Sequence, residues 1–526
     1  MPKSYLCLVL HAHLPFVRHP EHEEFLEEDW LFEAIIETYL PLLSVFEGLE
    51  RDQVRFRLTM SLTPTLIFML NDPLLRERFL NRINKLVELS EKELHRTRLL
   101  PKDHDVALMY HWKLTKAREQ YEERYQRDIV MGFARLMEQG YLEIIASAAT
   151  HGFLPSLSVN PKAVKAQIKI GCDEYERAFG RRPRGIWLPE CGYHPSVEES
   201  LKEEGILYFF VDAHGILHAG ERPRYGVYAP VVTGHGIAAF GRDIASSRQV
   251  WSSKDGYPGD PVYRDFYRDI GFDLDLDYIR PYIQATGHRK MTGIKYHRIT
   301  GPEDEKEIYI HHEALEKAAR HAEDFITRRV DDAKKIAPLI DRPPLVVAPY
   351  DAELFGHWWY EGPEFLNFLF RKLGSNQGMI ESVTPLDYLK LYPKNQVTRP
   401  SISSWGNRGF SDVWLSKENS WIYPHLHKAA DRMTELAKKF YNADGACQRA
   451  LNQAARELLL AQSSDWAFIM KTGTMVAYGR KRTKDHLSRF NRMYDDIKSG
   501  NVDKDFLKDL ESKDNIFPDI DYRVYA

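Results

Sequence analysis

Along roughly the first 400 residues, short apolar runs alternate with stretches whose apolar residues recur at helical spacing. Seven runs read as buried strands: Tyr5–Leu10, Val54–Leu58, Leu142–Ala146, Gly185–Leu188, Leu207–Val211, Ile237–Phe240 and Leu345–Ala348. Strands separated by helices imply parallel βαβ units. Seven or eight such units predict an α/β chain built on a closed β/α barrel, with an open doubly wound sheet as the alternative. Two segments break the alternation. Residues 72–140 are charge-rich with helical periodicity and predict a helical insertion. Residues 245–305 are rich in Gly, Pro, Tyr and Asp with few helical signals, and predict a long functional excursion. From about Trp421 the period is helical again, over Pro424–Tyr441, Gly445–Gln462, Arg480–Lys498 and Lys504–Leu510. The expected division is a catalytic barrel over 1–400, holding both interruptions, and a helical domain over 401–526.

Composition narrows the function classes. The 76 Asp plus Glu nearly balance 72 Lys plus Arg, leaving a net charge of −4, so nucleic acid is not expected as a partner. The aromatic share of 12%, with 10 Trp and 28 Tyr, favours flat, neutral ligands. The four cysteines, Cys7, Cys172, Cys191 and Cys447, form no CxxC pair, so neither a disulfide framework nor a Cys-rich zinc site is expected. The Tyr5–Leu10 run is too short for a secretory core, and the apolar stretch Leu58–Leu70 contains Pro64 and falls short of the ~20 residues of a membrane span. The expectation is a cytoplasmic chain without a membrane partner. No GxGxxG or P-loop follows any strand, which removes support for nucleotide binding.

In a β/α barrel the reactive groups sit just past strand C-termini. Polar clusters stand there: His11-Ala12-His13, Thr150-His151, Glu190 within Trp187-Leu188-Pro189-Glu190-Cys191-Gly192-Tyr193, Asp212-Ala213-His214, and Asp351 within Tyr350-Asp351-Ala352-Glu353. Two carboxylates at strand ends amid aromatics are what glycoside cleavage uses. Glu353 competes with Asp351 for the acid role. His11 and His13 share one strand face, so a metal site completed by His151 and Asp351 is a rival reading, pointing to a metal-dependent hydrolase or deacetylase. Of Trp358 and Trp359, one ring is expected in the core and one in a cleft. Trp405 and Trp414 lie in loop-like sequence, where exposed rings stack on sugars. Asp465 is either a helix N-cap, the default, or a group reaching the barrel mouth. His288, Arg289, Lys290, Lys295 and Arg298 read as a solvated basic loop.

Together, His11-Ala12-His13, Thr150-His151, Trp187 to Tyr193, Tyr350 to Trp359 and Ser404-Trp405-Gly406 resemble the five regions of glycoside hydrolase family 57, in order and over most of the chain. Length, insertion and helical C-terminus are most similar to the 1,4-α-glucan branching enzymes of that family. The resemblance implies a (β/α)7 barrel, a C-terminal domain contributing to the cleft, and a retaining mechanism with no metal or other cofactor. It implies Glu190 as nucleophile and Asp351 as general acid/base. His11, His13, His151, Trp405, Trp414 and Asp465 would line the subsites, with Trp187, Asp212, Arg264, Phe272 and Trp358 as further substrate contacts. The implied partner is an α-glucan such as amylose, amylopectin or a glycogen-like polymer, cut at α-1,4 bonds and rejoined as α-1,6 branches by a monomer or weak homo-oligomer. An α-amylase or 4-α-glucanotransferase of the same family is the alternative. One departure concerns a loop that in similar enzymes carries a tyrosine over the cleft. The matching stretch, Pro230 to Gly236, has no Tyr, and water exclusion favours transfer over hydrolysis. Phe272 stands where some branching enzymes carry a sugar-stacking ring.

Overall fold

The computed structural model describes residues 4–252, 255–283, 288–301, 306–375 and 378–526. Strand β1 (Ser4–Ala12) is buried along its whole length. Its even residues Leu6, Leu8 and Leu10 face the outer helices, while Tyr5, Cys7 and Val9 pack in a separate inner core with Trp187, Phe210, Phe240 and Val347. The period of two carries that inner face onward to His11 at the barrel mouth. The other strands are β2 (Leu58–Leu62), β3 (Leu142–Ser147), β4 (Gly185–Trp187), β5 (Tyr208–Val211), β6 (Val231–Val232), β7 (Ala238–Gly241), β8 (Leu345–Asp351) and β9 (Ile380–Ser382).

The sheet order is β6-β7-β5-β4-β3-β2-β1-β8, with β9 beside the start of β1. Every pairing is parallel except β6 with β7. The ring closes between β7 and β8, where the Asp243 amide donates to the Val347 carbonyl at 2.8 Å. The (β/α)7 barrel is therefore formed by β1, β2, β3, β4, β5, β7 and β8, and its strand C-termini all open on one face.

Four expectations are corrected. The second strand is Leu58–Leu62, not Val54–Leu58. Val54–Arg57 alternates with arginines, and Arg57 turns outward to Asp387 at 2.7 Å, whereas β2 is covered on both sides and its buried Ser61 faces His11. The end of the expected insertion, helix Ile129–Glu138, packs on the barrel as the crossover into β3. Only helices Pro73–Thr97 and Pro101–Glu119, with the π-helical turn Gln120–Arg124, project from it. The basic stretch is a solvated loop only at His288 and Arg289, which are exposed: Lys295 is buried, bonded to the Phe266 carbonyl and set over the Phe266 ring, and Lys290 pairs with Asp29 at 2.5 Å. Finally, Thr233–Gly236 is a hairpin turn between β6 and β7, closed by the Thr233 amide on the Ile237 carbonyl at 2.8 Å. It precedes β7 and so lies at the N-terminal rim, opposite the strand ends. A tyrosine-free loop there says nothing about the cleft.

The excursion 245–305 is held by a buried carboxylate. Asp269 accepts from the amides of Gly271, Thr292 and Gly293 and from the Thr292 hydroxyl, at 2.8–2.9 Å. It opens on a helix, Ile244–Trp251, that the composition hid. The C-terminal part holds five α-helices among the described residues: Ile422–Lys439, Gly445–Ala461, Ser464–Thr472, Val476–Ser499 and Lys504–Lys513. The third lies outside the expected helical runs, though a helix start was expected at Asp465. It starts against the barrel mouth, where Ser463 bridges Gly152. No described helix is long and apolar enough to cross a membrane.

Between β1 and β2 the chain makes a π-helical turn, Ile35–Tyr39, a form that often marks functional sites. It packs on the turn after β8. Gly356 has φ +116°, and a Cβ there would lie 1.8 Å from the Glu37 carbonyl oxygen. A side chain is excluded both by backbone conformation and by contact. Gly356→Ala is expected to lower unfolding stability by about 2–4 kcal/mol, read as a fall in denaturation midpoint, while Gly378→Ala, with open space around it, is expected to cost about 1 kcal/mol.

Candidate active site

Glu190 reaches the cleft by a strained turn. After β4 the chain runs through Pro189–Cys191, in which Glu190 (φ +63°) and Cys191 (φ +48°) are both left-handed. Each such residue costs about 1–3 kcal/mol. Three backbone bonds of 2.9 Å hold the turn: Cys191 to Leu188, Gly192 to Pro189, and the Trp405 amide to the Glu190 carbonyl. Gly192 is required, since a Cβ would sit 2.9 Å from the Pro189 oxygen and 2.7 Å from the Phe153 ring.

The two carboxylates have opposite surroundings. Glu190 accepts from the Trp405 indole on one oxygen at 2.9 Å and from the Ser464 hydroxyl on the other at 2.8 Å. Burial pushes its carboxyl up to about 7, against the pull of those two donors. Asp351 ends β8 directly beside His11 in register, and its carboxyl makes no hydrogen bond to any described residue. Burial, then the charges of Glu353 and Glu190, hold its proton far more tightly than an ordinary aspartate does, with Arg242 opposing. Glu353 is committed elsewhere. One of its oxygens accepts from the Tyr39 hydroxyl at 2.5 Å and from the His13 amide at 3.2 Å. Asp351 is thus the carboxyl with open hydrogen-bonding capacity.

Three histidines wall the mouth. His13 Nε2 meets both Asp465 oxygens at 3.0–3.1 Å, and its Nδ1 meets Thr63 Oγ1 at 3.0 Å. The Thr65 hydroxyl is spent on the Leu14 carbonyl at 2.8 Å, so it accepts from Thr63, and Thr63 in turn accepts from His13 Nδ1. His13 donates from both nitrogens and is an imidazolium. Burial alone would lower its pKa, but Asp465, with Glu190 and Glu353, raises it. His11 and His151 touch Nε2 to Nε2 at 2.9 Å. Burial and then the His13 charge keep both neutral.

A metal does not fit this wall. His13, His151 and Asp465 bring ligand atoms within 4.8 Å of one another, but the His13 and His151 rings stack face to face at 3.8 Å and 18°. In-plane lone pairs of stacked rings run side by side and do not converge on one ion.

The structure sorts the remaining expected residues. Asp465 is the second residue of helix Ser464–Thr472, not its cap, and reaches the mouth. Trp358 is 54% exposed and stacks on Phe266 at 4.5 Å, while Trp359 is buried, the expected split of that pair. Phe272 is half exposed on the short helix Ile270–Asp273. Asp212 caps the helix Ala213–Leu217 and pairs with Arg242 at 3.2 Å. Trp405 touches the Glu190 carboxylate and the edge of Trp187. Three assignments to substrate contact are corrected. Trp187 is fully buried beneath His11, stacked at 4.8 Å, because the last residue of a barrel strand turns inward. Trp414 is buried against Phe153 at 4.9 Å. Arg264 is 3% exposed, bonded to Glu37 at 3.1 Å, Tyr110 at 3.2 Å and the His357 carbonyl at 3.4 Å, and laid on the Tyr360 ring. It is a strut between the insertion and the turn after β8. His11 and His151 are likewise almost wholly enclosed.

Residues not singled out before also belong here. Ser464 lies next to Asp465, and the Ser-Asp pair opening a helix was the available signal. Tyr39 had none, being one aromatic within an apolar helix. Phe266 and the largely exposed Tyr267 extend the Trp358 platform, a paired-ring signal within the excursion.

The glycosyl hydrolase family 57 profile matches residues 7–403, and the profile of the 1,4-α-glucan branching enzyme C-terminal region matches 425–525. A curated 1,4-α-glucan branching enzyme of Thermococcus kodakarensis is 34% identical over 98% of this chain and 77% of its own length. Among solved structures, an α-amylase from Thermotoga maritima is 45% identical with a TM-score of 0.93, covering 99% of both chains. A branching enzyme of this family from Pyrococcus horikoshii is 35% identical with a TM-score of 0.89, covering 99% of this chain and 97% of its own.

Asp351, half-buried and with no donor on its carboxyl, carries a linkage prediction. Its folded pKa is raised, so the folded state must keep a proton that the unfolded chain releases above about pH 4. The stability penalty grows as pH rises from there towards the folded value. Asp351→Asn removes it, so the variant is expected to unfold at a higher urea concentration than the parent at pH 7–8 and level with it near pH 4, measured by urea denaturation at both pH values.

Proposed function

The chain belongs to glycosyl hydrolase family 57, and from that premise we propose that it is a retaining 1,4-α-glucan branching enzyme with Glu190 as nucleophile and Asp351 as general acid and base. The single observation that carries the assignment is the unequal provision of donors: two on Glu190, none on Asp351. Donors to a carboxylate favour its charged form, and a dry carboxyl without them keeps its proton. Two titratable groups driven apart in this way define the nucleophile and the acid.

The steps follow. The Glu190 carboxylate attacks the anomeric carbon of an α-1,4-linked glucose as Asp351 gives its proton to the departing O4. The donor chain is held as a glycosyl ester on Glu190. Asp351, now ionised, takes the proton of an acceptor 6-hydroxyl, whose oxygen displaces Glu190 and forms the α-1,6 branch. Two inversions retain the α configuration. The His13 imidazolium, fixed by Asp465, supports the negative charge around the reacting centre. Trp358 on Phe266, with Tyr267 and Phe272, offers ring faces to the apolar faces of glucose units. We read the barrel of 1–400 and the helices of 401–526 as two domains sharing this cleft, and place the enzyme in cytoplasmic glycogen-type synthesis on uncharged glucan.

A second reading is hydrolysis, in which water replaces the acceptor hydroxyl. The 45% identity to an α-amylase over nearly the whole chain favours it. Incubation with amylose separates the two. Branching yields new α-1,6 anomeric signals by proton NMR with little gain in reducing ends, and hydrolysis yields reducing ends without α-1,6 signals.

Glu190→Gln is expected to lower kcat by at least about 10³-fold with the fold intact by circular dichroism. In the parent, kcat/KM is expected to fall below about pH 7 as Glu190 takes up a proton and to fall again at high pH as Asp351 loses its own. A profile flat from pH 5 to 8 would contradict the assignment.

A further inference from the structure

The hydroxyl of Ser464, supplied by the C-terminal helices, stands where the nucleophile meets the histidine wall. Resting on the reading of Glu190 as nucleophile, we infer that Ser464 is a positioning residue for it, the last link of a hydrogen-bond chain that runs one way from Ser61 through His11 and His151 to the Glu190 carboxylate. The links are Ser61 Oγ to His11 Nδ1 at 3.2 Å, His11 Nε2 to His151 Nε2 at 2.9 Å, His151 Nδ1 to Ser464 Oγ at 2.9 Å, and Ser464 Oγ to Glu190 Oε1 at 2.8 Å.

Counting protons fixes the direction. An ionised carboxylate only accepts, so Ser464 gives it the one hydroxyl proton. Ser464 must then accept from His151, which places the His151 proton on Nδ1. A neutral imidazole has one N–H, so His151 Nε2 is bare and accepts from His11 Nε2. His11 Nδ1 is then bare and accepts from Ser61. The Trp405 indole holds Oε2 as an acceptor, so the proton that Glu190 takes up goes to Oε1, and every link then reverses: Glu190 donates to Ser464, Ser464 to His151 Nδ1, His151 Nε2 to His11, and His11 Nδ1 to Ser61. Both histidines therefore change tautomer together as Glu190 titrates, with no change in their charge.

Ser464 is placed for this by backbone as well as side chain. It opens helix Ser464–Thr472, its amide donates to the carbonyl of the left-handed His151 at 3.1 Å, and the neighbouring Ser463 bridges Gly152. The other ionisable groups facing Glu190 are Asp465, His13, His151, Asp351, Cys191 and Tyr423. Among them only His151 is joined to it through a relaying hydroxyl. The chain makes the C-terminal helices part of the nucleophile's ionisation: without Ser464, Glu190 keeps a single donor, Trp405.

The test is Ser464→Ala against Ser464→Thr in the full-length protein, with the Glu190 carboxyl followed by ¹³C NMR and the His11 and His151 tautomers by ¹⁵N NMR across pH. In the parent, both histidines are expected to exchange tautomers at the pH where Glu190 titrates. Ser464→Ala is expected to move that titration, and the acid limb of kcat/KM, upward by about one pH unit, about a further tenfold loss of kcat/KM at pH 6, and to uncouple His151 from it. Ser464→Thr restores the hydroxyl and is expected to restore all three. Histidine tautomers that stay fixed through the Glu190 titration, or a carboxyl titration unmoved in Ser464→Ala, would overturn the inference. If the NMR coupling is present but Glu190→Gln keeps full turnover, the chain stands and the nucleophile assignment falls.

Discussion

Carboxylates largely shielded from water around the barrel mouth are the constraint from which the site is organised. An ionised carboxylate in a low-dielectric mouth needs donors or a cation, and otherwise keeps its proton. Each acid here meets that demand differently. Asp465 takes the His13 cation and the Ser463 hydroxyl. Glu353 takes the Tyr39 hydroxyl and a backbone amide. Glu190 takes an indole and a hydroxyl. Asp351 takes none and is left as the proton holder. Opposed surroundings for two similar side chains follow from this allotment and from nothing intrinsic to Glu or Asp.

The donors come from far along the chain. Trp405 and Ser464 lie beyond the last barrel strand and Tyr39 lies in the π-helical turn after the first, so the site exists only when barrel, C-terminal helices and that turn are docked together. Strain at Glu190, Cys191 and His151 is tolerated because each strained residue is tied from outside its own segment: Glu190 by the Trp405 amide, His151 by the Ser464 amide, and the whole turn by the packing of Gly192 on Phe153. Behind the turn after β8, Arg264 joins Glu37, Tyr110 and the His357 carbonyl. It fixes the turn carrying Trp358 without itself reaching the cleft.

Much of this was legible in residue order. The alternation in β1 delivers Tyr5, Cys7, Val9 and His11 to one face, and that alone sends His11 to the mouth. Glu190 and Asp351 stood out because each is a carboxylate just past a run of buried residues. Trp187 misled because it shares a phrase with Glu190 yet lies on the strand, where its ring turns inward under His11. Trp414 misled because loop-like sequence was taken for exposure, while Phe153 from another loop covers it. Arg264 carried no local sign of burial, since its partners lie more than ninety residues away in sequence. The Pro230–Gly236 stretch was assigned to the cleft although a turn before a parallel strand belongs to the opposite rim.

The sequence by itself determined the barrel class, the two carboxylates and the histidine pair, because strand periodicity and position past a strand end are local properties of the chain. Tertiary structure alone decided which carboxylate receives donors and which does not, which rings are exposed, and that Ser464 touches Glu190. Those depend on burial and on donors contributed by segments hundreds of residues apart, and a desolvation penalty has no value until the surroundings that exclude water are in place.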